Sequence, residues 1–322
     1  MPNGTDASEI AIAVFAHNEE RHIAACLSQV AQGAAGLNAQ VTVLANGCRD
    51  ATAEEARRFA ERCRRRNPEV DISVVEIALG DKANAWNSYV YEHAPRARLH
   101  VFVDGDTLPA AESFAALRDA LDSDRHAQAA AGLPVGGRSA RRWRAHILKK
   151  RSMPGPLYAL RDAFLDRLRA QEIRLPVGLI GDDILIPILV RSELLTTDLD
   201  RSRVTPCQAA TFSYTPFSYR RFDDWRLYVR RKLRNSERHF QNQLLIPRAR
   251  RDGAGALPAR IAEIYQTPEA GRLRPRRSLE FPWDVVALTR MRRANAAELA
   301  AVGTVGHTSR DGQPAPDPGA AS

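Results

Sequence analysis

The sequence predicts an α/β fold, a Rossmann-like, mostly parallel sheet flanked by helices, on three observations. Short β-branched runs alternate with longer stretches of helical period, the rhythm of βαβ units. Four such strands fall within about a hundred residues. Each strand is followed by a loop crowded with polar side chains, and in open parallel sheets ligands bind beyond the carboxyl ends of the strands.

Residues 10–15 read as the first strand and 21–34 as the first helix. Residues 41–44 form the second strand and 51–66 an Arg-rich amphipathic helix, followed by a strand at 72–77, a helix at 82–93, a strand at 99–103 and a helix at 111–121. The second half changes character. A further strand is expected at 127–132, then the loop Pro134-Val135-Gly136-Gly137 and a basic helix, 141–151, broken by Met153-Pro154-Gly155-Pro156. Residues 157–160 lead into a helix near 161–170. Residues 176–181 precede Asp182, Asp183 and an apolar helical stretch to 190, in which Pro187 fits best within the first turn. Residues 222–245 read as a helix with a dense row of arginines interleaved with Trp225, Tyr228 and Phe240. Residues 247–277 are rich in Arg, Pro and Gly. The organisation expected is a disordered N-terminus at 1–8, a first half at 9–133, a second half at 134–245, a helical basic C-terminal extension at 246–302 and a disordered tail at 303–322.

Composition narrows the function. The chain has 322 residues, 44% hydrophobic, with a net charge of +9. Such a chain has ample material for a core. No apolar run approaches the roughly 18 residues that cross a bilayer, and the first residues lack the basic-then-apolar pattern of a secretory signal. The expected location is cytoplasmic, with room for peripheral contact at an anionic inner membrane face. Cys26, Cys48, Cys63 and Cys207 are scattered without zinc-site or disulfide spacing, so they read as buried or idle thiols. All but four of the 47 basic residues are arginine, whose guanidinium fork suits phosphate-bearing partners. No nucleic-acid module accompanies that charge, so nucleic acid is not an expected partner.

The chemistry concentrates on the four strand ends. Asp104-Gly105-Asp106 follows Val101-Phe102-Val103, so a buried strand delivers two carboxylates separated by one small residue. A hard divalent cation, Mg²⁺ or Mn²⁺, takes a few oxygen ligands and leaves its remaining positions to water and phosphate, as a departing diphosphate requires. His17-Asn18-Glu19-Glu20, Asn46-Gly47-Cys48-Arg49-Asp50 and Gly80-Asp81-Lys82 end the other strands on the same rim. Glu19 can accept a ligand hydroxyl or stand as a surface carboxylate near a helix start, where negative charge is favourable. Lys82 opens a helix and can meet a phosphate or a sugar ring's edge, or stand as a solvated helix lysine. Asp50, ahead of Ala51-Thr52, suits a capping role, and His17 and Trp86 suit packing.

These motifs, in this order, resemble those of family 2 glycosyltransferases of the GT-A fold. Val14-Phe15-Ala16-His17-Asn18-Glu19-Glu20 matches the family's opening strand and Asn-Glu loop, and residues 43–52 match its nucleotide loop. Gly80-Asp81-Lys82-Ala83-Asn84-Ala85-Trp86-Asn87 is similar to the Gly-Lys-x-x-Ala-x-Asn element with one residue inserted. Gly181-Asp182-Asp183 sits where the Glu-Asp pair is expected. The resemblance covers residues 8–240 and implies a metal-dependent, inverting transfer from a nucleotide-diphosphate sugar, with a UDP-sugar the expected donor, to a saccharide or lipid-linked hydroxyl. It also implies 9–133 as the nucleotide-sugar-binding half and 134–245 as the acceptor-binding and catalytic half. Asp104 and Asp106 would hold the metal, Glu19, Asn46, Lys82 and Asp104 the donor, and Asp183, supported by Asp182, would take the acceptor proton. An N-cap role for both aspartates is the rival reading. Where the family carries Asp-Asp-Gly-Ser, this chain has Ala45-Asn46-Gly47-Cys48. Asn46 still offers an acceptor to a uracil N–H and adds a donor. The exchange also raises an alternative, a catalytically inactive nucleotide-sugar-binding or scaffold protein. Arg230, Arg231 and Arg234 lie near the family's Gln/Arg-rich element.

Overall fold

The computed structural model describes residues 8–136, 139–214 and 222–305, without the side chains of 222–227 and 295–305. Four parallel strands, β1 (Ser8–Ala16), β2 (Ala39–Asn46), β3 (Asp71–Ile77) and β4 (Ala97–Asp104), are joined by α1 (Ile23–Ala34), α2 (Thr52–Arg66) and α3 (Lys82–Ser88), the last continued by a π-helical turn, Tyr89–His93. Then follow β5 (Thr107–Pro109), α4 (Ser113–Ser123), β6 (Ala129–Pro134), α5 (Ala140–Lys150), β7 (Leu157–Arg161), α6 (Asp162–Ala170), α7 (Asp182–Arg191), β8 (Val204–Tyr214), α8 (Phe222–Asp252), α9 (Pro268–Arg272) and α10 (Phe281–Val305).

The eight strands form one sheet in the order β3-β2-β1-β4-β7-β6-β8-β5. The chain steps outward from β1 to β3 and then returns to place β4 on the other side of β1, so the topological switch point lies between β1 and β4. β7 then pairs antiparallel with β4, with Leu157 opposite Val103 and Arg161 opposite Leu99. β6 is antiparallel to β7 and therefore runs in the same direction as β4.

The inner strands are buried on both faces, which is why β1 reads as an almost unbroken apolar run instead of an alternating one. One layer sets Ile12, Val14, Val101 and Val103 against Leu27, Phe114 and Leu117 of α1 and α4. The other sets Phe15 and Phe102 against Trp86, Tyr158 and the apolar faces of α6, α7 and α8. Phe102 stacks on Tyr158 with ring centres 4.8 Å apart, and the Trp86 indole N–H donates to the Tyr158 hydroxyl at 3.1 Å. Cys26, Cys63 and Cys207 are buried, Cys48 is partly exposed and all four are free thiols.

Every strand and helix expected up to residue 121 is present. Several later elements differ. Residues 157–160, read as a lead-in to a helix, belong with Arg161 to β7, a five-residue strand too short to show a period. β8 was not foreseen because Pro206 and a run of small residues blur its pattern, and it carries a register shift opposite Ala131 and Leu133. Pro187 lies inside α7 and not in its first turn, so its missing N–H leaves the Asp183 carbonyl without its helical partner. α8 runs through Pro247 to Asp252, beyond the expected end at 245. Ser8 belongs to β1 and residues 303–305 to α10; the rest of the two segments expected to be disordered, with Gly137 and the Trp225 side chain, lies outside the described residues.

α10 is fastened to α8 through one buried carboxylate. Asp284 is fully buried and accepts from the Arg276 guanidinium at 2.6 and 2.8 Å and from the Arg276 backbone N–H at 2.9 Å, while Arg276 also donates to Ser236 Oγ on α8 at 3.2 Å. Burial alone would raise this carboxyl, but the bonds from Arg276 outweigh it and hold the Asp284 pKa at about 2. The depressed pKa means that the pair's contribution is complete above the unfolded-state pKa of about 4 and fades as pH falls through about 2. Asp284→Asn should therefore lower stability by about 2 kcal/mol at neutral pH, the usual loss for a broken buried pair reduced by the partial exposure of Arg276. In urea unfolding the gap from the unmodified protein should close as pH approaches 2; equal midpoints at neutral pH would contradict this account.

Candidate active site

A cleft of about 370 Å³ opens at the switch point, a volume within the range of small-molecule sites. Its walls come from all four parallel strand ends: His17 and Glu19 after β1, Asn46 at the end of β2, Gly80, Asp81 and Lys82 after β3, and Asp104, Gly105 and Asp106 after β4. Arg230 and Arg234 of α8 close it from the C-terminal half.

Gly105 explains the shape of the Asp104-Gly105-Asp106 turn. Its N–H donates to the Phe15 carbonyl at 2.7 Å, and a Cβ there would stand 3.0 Å from the Ala16 Cβ and the Phe15 oxygen. Only the smallest residue lets the turn lie against β1 while both flanking carboxylates reach the cleft. On the opposite side Gly181 precedes α7 with φ +120°, and a Cβ there would meet the Arg238 side chain at 2.8 Å. Asp182 and Asp183 form the first turn of α7, and neither supplies a side-chain cap, which sets aside the rival N-cap reading.

Lys82 joins the two halves. Its ammonium lies 2.7 Å from Asp104 Oδ1 and 3.1 Å from Asp182 Oδ2. The second contact is close but poorly aligned, and that buried Asp182 oxygen has no hydrogen-bond partner. Burial opposes the charged form of Lys82, yet Asp104 and Asp182 together raise its pKa well above the ordinary lysine value. Burial also pushes the Asp104 carboxyl up to about 6, with Lys82 pulling it down and Asp106 adding to the rise. Asp183 is raised by burial and by neighbouring Asp182, while Arg238 opposes the rise from 3.2 Å. Glu19 is raised by burial and then by Asp106, and it holds His22 at 2.8 Å. A loop glycine, Gly155, adjoins both Asp183 and the Lys82 ammonium.

Asn46 is almost fully buried and donates from Nδ2 to the Ala16 carbonyl at 2.9 Å, which orients its amide; among the described residues no donor meets its Oδ1. His17 is not the packing residue expected. It is exposed on the cleft wall, with Nδ1 2.6 Å from the Asn46 carbonyl and Nε2 3.0 Å from the Asn18 amide. Trp86, in contrast, is fully buried and does not border the cleft. Asp50 accepts from Thr52 N at 3.1 Å and Oγ1 at 2.5 Å, bracing the start of α2, although the N-cap position itself falls to Ala51 and not to Asp50 as expected.

Two contributors had no signal of their own in the sequence. Asp81, the inserted residue, accepts from Asn84 N at 2.7 Å as the N-cap of α3 and from Gly178 N at 3.0 Å, tying the β3 loop to the approach to α7. Arg238, the partner of Asp183, is one arginine among many on α8.

Asp104 and Asp106 offer hard oxygen donors on one wall, and the cleft has room beside them for phosphate and water. Among the described residues no group of three or more His, Cys, Asp or Glu side chains could hold a metal ion. The arrangement therefore suits a cation bound by one or two carboxylates and a ligand's phosphates, not an all-protein cage.

Residues 11–176 match glycosyl transferase family 2, just over half of the chain, and the protein belongs to that family. Among curated proteins no sequence matches it. The structure superposes on the mannosyltransferase PcManGT from Pyrobaculum calidifontis, solved with GDP-mannose and Mn²⁺, with a TM-score of 0.55 at 19% identity over 95% of this chain and 82% of that one. Glucosyl-3-phosphoglycerate synthase from Mycobacterium tuberculosis, solved with Mn²⁺, UDP-glucose and phosphoglyceric acid, gives 0.48 at 17% identity over 65% and 72%. The first likeness establishes the GT-A fold.

Replacing Lys82 by Met would leave Asp104 and Asp182 facing each other without their shared cation. Stability should fall by about 2 kcal/mol, the loss for a broken buried pair scaled down for partial exposure. An unchanged urea midpoint would sink the shared-cation account.

Proposed function

We propose that this protein is a metal-dependent, inverting glycosyltransferase that moves a sugar from a uridine diphosphate donor to a hydroxyl of a saccharide or lipid-linked acceptor. The observation that carries this reading is the Lys82 bridge: it draws the carboxylate after β4 and the aspartate pair opening α7, far apart in sequence, to opposite sides of one cationic group.

In this reading the donor lies along the cleft. Asn46 Oδ1 accepts the uracil ring N–H and Glu19 a ribose hydroxyl, while Lys82, Arg230 and Arg234 face the diphosphate. Mg²⁺ or Mn²⁺ held by Asp104 and Asp106 would neutralise charge on the departing diphosphate. Asp183 takes the proton of the acceptor hydroxyl as its oxygen bonds to the anomeric carbon and the bond to the diphosphate breaks. The raised pKa of Asp183 suits a base, since a carboxylate closer to the working pH holds the proton better. Arg238 keeps its oxygens oriented.

Hydrolysis of a UDP-hexose without acceptor tests the reading. Asp106→Ala should abolish the Mn²⁺-stimulated part while leaving the melting temperature without ligand unchanged; undiminished stimulation would remove Asp106 from the metal site. Asp183→Asn should lower the rate by about 10² to 10⁴ while leaving UDP affinity unchanged. UDP with Mn²⁺ should raise the melting temperature more than GDP with Mn²⁺, and the reverse order would reassign the base. A thermal shift with UDP but no metal-stimulated turnover would instead identify a nucleotide-sugar binder.

A further inference from the structure

The arginine excess is unevenly balanced over the surface. On α2 four of the six arginines meet carboxylates: Arg57 pairs with Glu76 of β3, Arg58 with Glu54 and Glu55, and Arg64 and Arg65 with Glu61. Such a face is solvated and partly neutralised by its own glutamates. Between Asp124 and Asp162 the chain has no Asp or Glu at all, but nine Lys or Arg residues. Five of them, Arg141, Arg142, Arg144, Lys149 and Lys150, lie on α5, and among the described residues none meets a carboxylate. A genome-wide preference for arginine would not remove the acids from one helix and keep them on another.

α5 turns Ala140 and Ile147 to the core. At 3.6 residues per turn, Arg142 and Lys149 then point away from the core, with Arg141 and Leu148 on one flank and Lys150 on the other, all exposed. Leu148 is 37% exposed there, and Val135, just before the helix, is 40% exposed. A cationic face carrying aliphatic side chains suits an anionic bilayer, where headgroups draw the cations and the apolar groups enter the acyl boundary. A nucleic acid would call for a groove or an aromatic platform. The aromatic residue of α5, Trp143, instead packs edge-on against Phe212, with ring centres 5.7 Å apart.

The helix also stands in the right place. β6 runs with β4, so its end at Pro134 lies on the rim that carries Asp104, and the chain enters α5 from that rim. After α5 the segment 152–156 returns there: the Pro156 carbonyl accepts from Asp104 N at 3.2 Å, and Gly155 adjoins Asp183.

We propose that α5 docks this protein on an anionic phospholipid bilayer through Arg141, Arg142, Lys149 and Lys150, with the Asp183 side of the cleft directed to a lipid-linked hydroxyl acceptor. The acceptor assignment rests on the transferase reading; the docking does not.

Flotation with phosphatidylcholine vesicles containing about 30% phosphatidylglycerol tests it. The protein should bind at about 50 mM salt, release near 500 mM and ignore pure phosphatidylcholine. At about five-fold per charge, R141Q/R142Q and K149Q/K150Q should each weaken partitioning about 30-fold, and the quadruple variant about a thousand-fold. An α2 control with equal charge loss, R58Q/R62Q/R64Q/R65Q, should stay within about three-fold of the unmodified protein. Amide hydrogen exchange on the unmodified protein needs no variant and should show protection of residues 139–151 by anionic vesicles alone. Failure to float, equal loss in the α2 control, protection that spares α5, or tighter binding to an oligonucleotide than to vesicles would each overturn the docking surface. UDP-hexose hydrolysis measured in parallel separates the two readings: an inactive protein that still floats through α5 removes the transferase and leaves the docking.

Discussion

Repulsion among carboxylates delivered to a single rim is the constraint around which this molecule is arranged. Asp104 and Asp106 arrive from β4, Asp182 and Asp183 from the first turn of α7, and Glu19 from the β1 loop. In a partly buried cleft such groups raise one another's pKa unless cations stand between them. Lys82 stands between Asp104 and Asp182, and Arg238 answers Asp183. Two further arginines, Arg230 and Arg234, extend the positive side over the opening. The cleft is thus held by opposing charges that a bound cation and a diphosphate would rearrange, and the proposed chemistry uses that same opposition.

Close backbone approach is what allows the charges to meet. The Asp104-Gly105-Asp106 turn lies against β1 because Gly105 has no side chain to hold it away, and Gly181 lets α7 start beneath Arg238. Asp81 then links the β3 loop to residue 178, tying the nucleotide half to the approach of the proposed base. Beneath the rim, the stack of Trp86, Phe102 and Tyr158 fixes α3 and β7 against β4, so the strand ends that carry the site are anchored by a rigid aromatic layer.

The remaining positive charge separates into two kinds of surface. α2 has four of its six arginines paired with carboxylates, whereas among the described residues α5 leaves its cations without a carboxylate partner. An unbalanced face is stable only because its charges are exposed to solvent and screened, and it gains most from a partner that brings negative charge. No helix among the described residues is long and apolar enough to cross a membrane, so the proposed membrane contact would be made by a surface and not by a span.

The parallel half was legible because its signals are local. β-branched runs, helical periods and the polar residues just past each strand sit within a few positions of one another, so β1 to β4, α1 to α4 and the gathering of Glu19, Asn46, Lys82, Asp104 and Asp106 on one rim could be read directly. β7 and β8 escaped because strands that short, or that rich in small residues and proline, take their identity from the partners they lie beside. The exposure of His17, the ties made by Asp81, the pairing of Arg238 with Asp183 and the bridge from Lys82 to both halves were decided only by the folded chain. Each joins groups whose neighbours in sequence carry no trace of the meeting, because distance in space is set by how sheet and helices pack, and that depends on every layer at once.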